Sequence, residues 1–471
     1  MKSVFGVIVG NRGFFPDVLV NEGREEILKV LEENDCEAVL LGTGDTELGA
    51  VVTLEDAKKC AKLFNENAGR IDGIILTLPN FGEERGIADT MKMLDFQVPV
   101  LVQASPDDPK RVDISRRRDS FCGKISACSN LLQYNVPFTL TESHTVALSS
   151  DEFKRDLERF KGICRVVKGM RRARIGAIGA RPAAFNTVRY SEKILAGHGI
   201  TVETIDLSEI YGQMDALKES EADVQAKIKD IGNYVETGNT PAAAITKMAK
   251  LGVVVDRFIA ENDLDATAVQ CWTSMEEYFG VVPCTVMSML SNGLKPSACE
   301  VDVTGALSMY ALQLASGEPS ALLDWNNNFA DDPDKCVLFH CSNLPKAFFK
   351  DMRMDYQEII AGAVGKENTY GTCVGRIKEG PLTYARFTTV DTTGDLMCYV
   401  GEGEFTADKL DTFGGFGVAE IPGLQDLLKF ICMGGFEHHV AVNLSRTADI
   451  LTEAFTKYLG IDTYHHGSHE Q

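Results

Sequence analysis

VFGVIVG at residues 4–10, NEGREEILKVLEEN at 21–34 and EAVLLG at 37–42 read as a buried strand, an amphipathic helix and a second buried strand. The alternation continues through LEDAKKCAKLFNENAG (54–69), GIILTL (73–78) and VPVLVQ (98–103). Units of roughly thirty residues are the βαβ rhythm, which predicts a parallel sheet covered by helices. The charged run KRVDISRRRD (110–119) is expected to be a loop ahead of a helix at 121–133.

The charged helical stretch SSDEFKRDLERFKGICRVVKGMRRA (149–173) leads into a second α/β pattern. ARIGAIGA (173–180), TVETIDL (201–207) and ATAVQCW (266–272) are its strands. RIGAIGARPAAFNT (174–187) reads as a tight βα turn, with anion contact at a helix N-terminus as the alternative. It lacks the full dinucleotide fingerprint. Beyond 330 the character changes: KCVLFHC (335–341), PLTYARFTTV (381–390), DLMCYVGEGEF (395–405) and GFGVAEI (415–421) read as strands between Gly-rich turns. The expected architecture is therefore two consecutive Rossmann-like parallel-sheet domains, at 1–168 and 169–330, followed by a β-rich antiparallel C-terminal domain at 331–471.

Lys and Arg number 47 against 68 Asp and Glu, a net charge of −21, so the chain has no basic footprint for nucleic acid. The opening segment breaks at NRG (11–13) and reads as a strand rather than a secretory leader. FGVVPCTVMSML (279–290) is too short to cross a bilayer. Thirteen cysteines, an odd number without a CxxC pair, predict reduced thiols and a cytoplasmic protein.

Candidate chemistry gathers late in the chain. Glu300 lies in CEVDV, Asp324 in LLDWNNN, His340 in VLFHC, and His438 and His439 in GGFEHHVAV. Carboxylate and imidazole together suit a divalent metal of intermediate hardness such as Mn²⁺, and paired carboxylates beside it suit proton transfer. Each residue alone has a plainer reading: a cap or exposed acid for Glu300, a turn for Asp324, a satisfied core histidine for His340. Adjacent strand residues face opposite ways, so at most one of His438 and His439 is expected to face any one site. Arg12 follows the first strand, where α/β ligands bind, and is a candidate sugar-binding residue or an ordinary loop arginine. Trp272 is either a sugar-stacking ring or a core residue, and Gln270 is a weaker binding candidate. The tail histidines His465, His466 and His469 read as a solvated terminus.

GLKPSACEVDVTGAL (293–307), LLDWNNNF (322–329), VLFHC and GGFEHHVAV together resemble the L-fucose/L-arabinose isomerase family, as does DSFCGKISACSNLLQYNVPF (119–138). That resemblance implies a metal-dependent aldose–ketose isomerase acting through an ene-diol, with Mn²⁺ as the metal and Co²⁺ or Mg²⁺ as substitutes. It implies that Glu300 and Asp324 bind the metal and move protons, with His439 the third ligand and His438 its alternative. His340 matches a fourth ligand of arabinose-type members, whereas an Asp at 324 matches fucose-type ones. It further implies a homo-oligomer, trimer or hexamer, in which the Arg12 region lines a neighbouring copy's site. The substrate is expected to be a small sugar; pentose or hexose, neutral or anionic are all open, an acidic or sulfonated sugar being one option that would need Arg12 or Arg181 at the site. A non-catalytic sugar-binding protein, or an epimerase or aldolase using the same enediolate, is the alternative.

Overall fold

The computed structural model describes residues 2–467 and divides into two compact units, Met1–Lys168 and Gly169–Gln471. In the first unit, strands β1 (Ser3–Val9), β2 (Cys36–Val39), β3 (Gly73–Leu78), β4 (Val100–Ala104) and β5 (Thr139–Leu140) form one sheet. Its order is β2-β1-β3-β4-β5 and every pairing is parallel. Both faces are covered, one by a core around Ile8, Phe64, Ile74 and Val102, the other by a core around Phe5, Ile27, Ile75 and Phe160. That double coverage is why these strands read as continuous apolar runs rather than alternating ones. The helix Leu54–Glu66 starts at a capping box in which Thr53 and Asp56 satisfy one another's amides.

The second unit contains two sheets. Strands β6 (Arg174–Ile178), β7 (Thr201–Ile205), β8 (Ala266–Val269) and β9 (Ser297–Cys299) form a parallel sheet ordered β7-β6-β8-β9. The other sheet has nine strands: β10 (Ser320–Asn328), β11 (Lys335–His340), β12 (Arg353–Tyr356), β13 (Tyr370–Arg376), β14 (Gly380–Val390), β15 (Asp395–Phe405), β16 (Gly415–Glu420), β17 (His439–Asn443) and β18 (Asp462–His465). Most neighbours are antiparallel, but β13–β16 and β15–β18 are parallel, so this sheet is mixed rather than purely antiparallel. The change of sheet falls at Ser320, ahead of the composition change near 330, because β10 already pairs with β11 and β17. Asp324 therefore belongs to the nine-stranded sheet, while Glu300 leaves the end of the parallel one.

The helix Val303–Ser316 lies between the two sheets and is almost wholly buried. A helix apolar on all sides is what a position between two covered faces requires. Among the described residues no helix is long and apolar enough to cross a membrane, and the 13 cysteines are all free thiols. His465 ends β18 and His466 bonds the Pro422 carbonyl at 2.8 Å, whereas His469 lies outside the described residues.

Candidate metal centre

Glu300 and Val301 both hold left-handed backbone, each with φ +56°, and the Asp302 amide returns to the Cys299 carbonyl at 2.9 Å. Positive φ at both central residues is the pattern of a type I′ turn, normally filled by Gly or Asn. With Glu and a β-branched Val there, each residue stores strain of order 1–3 kcal/mol, a cost typical of functional sites. The turn makes three consecutive positions useful: Cys299 ends the strand, Glu300 projects from the corner, and Asp302 caps the helix Val303–Ser316 by accepting the Gly305 amide at 2.8 Å.

Three further donors arrive from the nine-stranded sheet. Asp324 on β10 stands opposite His439 on β17 in antiparallel register, which sets their side chains on one face. His340 is the last residue of β11. His439 Nε2 lies 3.5 Å from Glu300 Oε2 and 3.4 Å from Asp324 Oδ1. His340 Nε2 is 3.9 Å from Glu300 Oε2, and His438 Nε2 is 3.6 Å from Asp324 Oδ1. Two overlapping groups result, Glu300–His340–His439 and Asp324–His438–His439, each with its ligand atoms within 4.8 Å of one another.

The expectation that only one of the adjacent histidines faces a site is corrected here. His438 precedes β17 and sits in a bend, so strand alternation does not govern it, and both rings reach Asp324. They differ in depth: His439 is buried and His438 is exposed.

Glu300 Oε2 and Asp324 Oδ1 are buried and accept no hydrogen bond. Burying a carboxylate oxygen without a partner is costly, so both atoms fit a cation placed among them. His439 Nδ1 meets Asp302 Oδ2 at 2.8 Å, which leaves Nε2 with its lone pair toward the two orphaned oxygens. Such carboxylate–histidine pairs orient metal-binding imidazoles. Asp302 is itself gripped by Arg386 through Nη1–Oδ2 at 2.6 Å and Nη2–Oδ1 at 3.0 Å. Arg386 Nε also donates to Glu437 Oε2 at 3.1 Å, and Glu437 accepts from Thr388 at 3.1 Å. All of Arg386, Asp302 and Glu437 are buried.

Burial works to raise the Asp302 carboxyl, but Arg386 and His439 outweigh it and hold the group well below the carboxylate range. Glu300 follows the same logic more weakly: burial opposes, while His340 and His439 bring it below its ordinary value. Asp324 goes the other way, because burial dominates its neighbours' attraction and raises it. Although the residue is exposed at its rim, desolvation of its imidazole pushes His438 down to about 4, so that ring is neutral at ordinary pH and keeps one nitrogen lone pair.

Trp272 and Gln270 are half-buried neighbours of the centre. Trp272 donates its indole N–H to Glu300 Oε1 at 3.0 Å and meets Phe185 edge-on, ring centres 5.2 Å apart. Gln270 accepts the Ala180 amide at 2.8 Å, tying down the loop after β6. Arg12 lies in the first unit, where it bonds the Gly82 carbonyl at 2.9 Å, pairs with Glu84 and stacks 4.0 Å over Phe81. The sequence reading missed Asp302, Arg386, Glu437 and Phe185 as parts of the site. A single arginine in the apolar strand TYARF was the available signal, since a buried guanidinium demands carboxylate partners.

The first unit and the C-terminal sheet each match a family model: residues 6–171 match the fucose/sulfoquinovose isomerase N-terminal domain, and residues 338–466 the L-fucose isomerase C-terminal domain. Together these cover more than half of the chain, which belongs to the fucose isomerase family. Among curated relatives, a sulfoquinovose isomerase of Priestia aryabhattai is 25% identical over 255 residues, 53% of this chain and 55% of that protein. One from Clostridium sp. (strain MSTE9) is 31% identical over 150 residues, 31% of this chain and 33% of its own length. The chain thus spans about half the length of the curated relatives it matches. Among solved structures, D-lactate dehydrogenase of Escherichia coli aligns at 10% identity over 67% of this chain and 98% of that one, with a TM-score of 0.16 that carries no structural likeness.

Proposed function

We propose that this protein is a divalent-metal-dependent ketol isomerase that interconverts an open-chain aldose and its ketose. The observation that supports this most is the pair of buried, unpartnered oxygens, Glu300 Oε2 and Asp324 Oδ1, both within 3.5 Å of His439 Nε2. Glu300, Asp324 and His439 would hold the ion, with His340 and His438 as the flanking donors, and Mn²⁺ is the ion whose ligand preferences match this mixed set. When bound, it supplies Lewis-acid polarisation of the sugar's carbonyl and hydroxyl oxygens.

The rest is the work of the chain's own groups. One of Glu300 and Asp324 takes the proton from C2, while a proton passes from the C2 hydroxyl to the carbonyl oxygen, giving the ene-diolate; a proton is then returned to C1 and the C2 oxygen becomes the ketose carbonyl. Positioned acid–base groups of this kind contribute roughly 10²–10⁴-fold. Unequal surroundings help divide the labour, because burial raises Asp324 whereas the histidines lower Glu300, and such divergence is how paired carboxylates take opposite roles. Trp272 and Asp302 hold Glu300 and His439 in place through their hydrogen bonds.

Sulfoquinovose, named in the relatives' activities, is the first aldose to try. Arg12 is proposed to serve a neighbouring copy's site, which makes a homo-oligomer, trimer or hexamer, the expected assembly. The test of the assignment is Glu300→Gln in Mn²⁺-loaded protein: isomerisation falls by at least about 10³-fold with the fold intact. Turnover close to wild type would remove Glu300 from the reaction.

A further inference from the structure

Beside the metal centre lies a cavity of about 620 Å³ in the second unit, lined among others by Arg181, Asn186, Arg189, Tyr190, Thr388 and Glu437. It opens over the loop that follows the carboxyl end of β6, the usual ligand position in a parallel sheet. The loop is fastened at both ends: Gln270 holds the Ala180 amide at 2.8 Å, and Thr389 Oγ1 accepts the Ser191 amide at 2.9 Å. Two links join cavity and centre. Glu437 lines the cavity and bonds Arg386, which grips the Asp302 that orients His439. Phe185, next to Asn186 on the loop, meets Trp272 and His438 edge-on at 5.2 Å and 5.5 Å.

The cavity's two arginines are short of partners. Arg181 donates only to the neighbouring carbonyls of Pro182 and Ala183, and Arg189 Nε only to the Asn186 carbonyl. Among the described residues neither forms an ion pair, although Glu192 and Asp391 line the same cavity and the chain carries 68 acidic residues against 47 basic ones. The third lining carboxylate, Glu437, is already paired with Arg386. Guanidinium groups left open at a fixed loop suit bidentate recognition of a tetrahedral anion.

We propose that Arg181 and Arg189 form the subsite for an anionic group at the far end of the sugar, selecting aldoses with a C6 sulfonate or phosphate over neutral ones. This rests on the ketol-isomerase reading. It extends that reading from the reacting carbons to the opposite end of the substrate.

The test compares Mn²⁺-loaded wild type, Arg181→Gln/Arg189→Gln and Arg181→Lys/Arg189→Lys on sulfoquinovose, glucose 6-phosphate and the neutral 6-deoxy counterpart, quinovose. The expected result is that the glutamine pair lowers the ratio of kcat/KM for the anionic to the neutral sugar by at least about ten-fold, mainly through KM, and that the lysine pair restores part of it. Whichever anionic sugar the wild type turns over faster names the group the subsite takes. An anionic-to-neutral ratio unchanged in the glutamine pair overturns the proposal. If the wild type isomerises none of the three, the ketol-isomerase reading has failed, and calorimetry of sulfoquinovose binding still decides the subsite. Binding lost in the glutamine pair and partly regained in the lysine pair upholds it, and equal binding in all three overturns it.

Discussion

Asp302 shows how much of the candidate metal centre lies one bond away from the side chains proposed to hold the ion. It caps a helix, accepts from Arg386 and fixes the His439 ring, all from a fully buried position. Asp302→Asn keeps the shape but weakens its hold on Arg386 and His439, so Mn²⁺ affinity measured by calorimetry is expected to fall about 10–100-fold. Glu276 gives a residue-scale test that is independent of the metal. Fully buried on the helix Ser274–Phe279, its carboxyl is pushed up to about 8 by burial. A folded-state value above the unfolded 4.5 means the folded protein holds this proton more tightly. The group's contribution to stability is therefore complete below pH 4.5 and is lost as pH rises toward 8. Glu276→Gln removes that dependence, so the variant gains on the order of a few kcal/mol over wild type at pH 8 and nothing at pH 4, read by urea denaturation. Glu300, Asp324, His340, His438 and His439 could be named as candidates from the sequence because the motifs that carry them resemble a family's, whereas each residue alone had a plainer reading. Asp302 and Arg386 were not, because what defines them is each other, 84 residues apart.

At the scale of elements, the βαβ rhythm of the first unit was readable because each strand is covered on both faces and each helix shows one apolar side. Close approach between elements was not. Gly123, in the helix Ser120–Gln133, lies so near the Phe81 backbone that a Cβ would overlap its carbonyl. Gly123→Ala is therefore expected to destabilise the first unit by more than about 3 kcal/mol, seen as a shifted denaturation midpoint. Strand edges also misled: the alternation rule failed at His438 because β17 begins one residue later. The same kind of error set the sheet change near 330, since LLDWNNN, which completes β10, carries no more β signal than a turn, and only its pairing with β11 and β17 makes it a strand.

For the molecule as a whole, two parallel-sheet layers and a β-rich, largely antiparallel last part were foreseeable from composition and period, whereas the parallel pairings of β13 with β16 and β15 with β18, which make that sheet mixed, join strands 38 or more residues apart in sequence and leave no local trace. If, as proposed, residues from both sheets of the second unit hold the ion, metal stabilises that unit. At about one hundred times Kd, Mn²⁺ adds about 2.7 kcal/mol and raises Tm, and a chelator reverses the shift. The measurement that bears most directly on the central claim is proton NMR of Mn²⁺-activated protein, freed of excess ion, with sulfoquinovose and neutral aldoses in D₂O. The account predicts a ketose signal carrying deuterium at C1 or protium retained from C2, absent after chelation and in Glu300→Gln. Sugars left unchanged by protein shown to hold the metal at Glu300, Asp324 and His439 would contradict it.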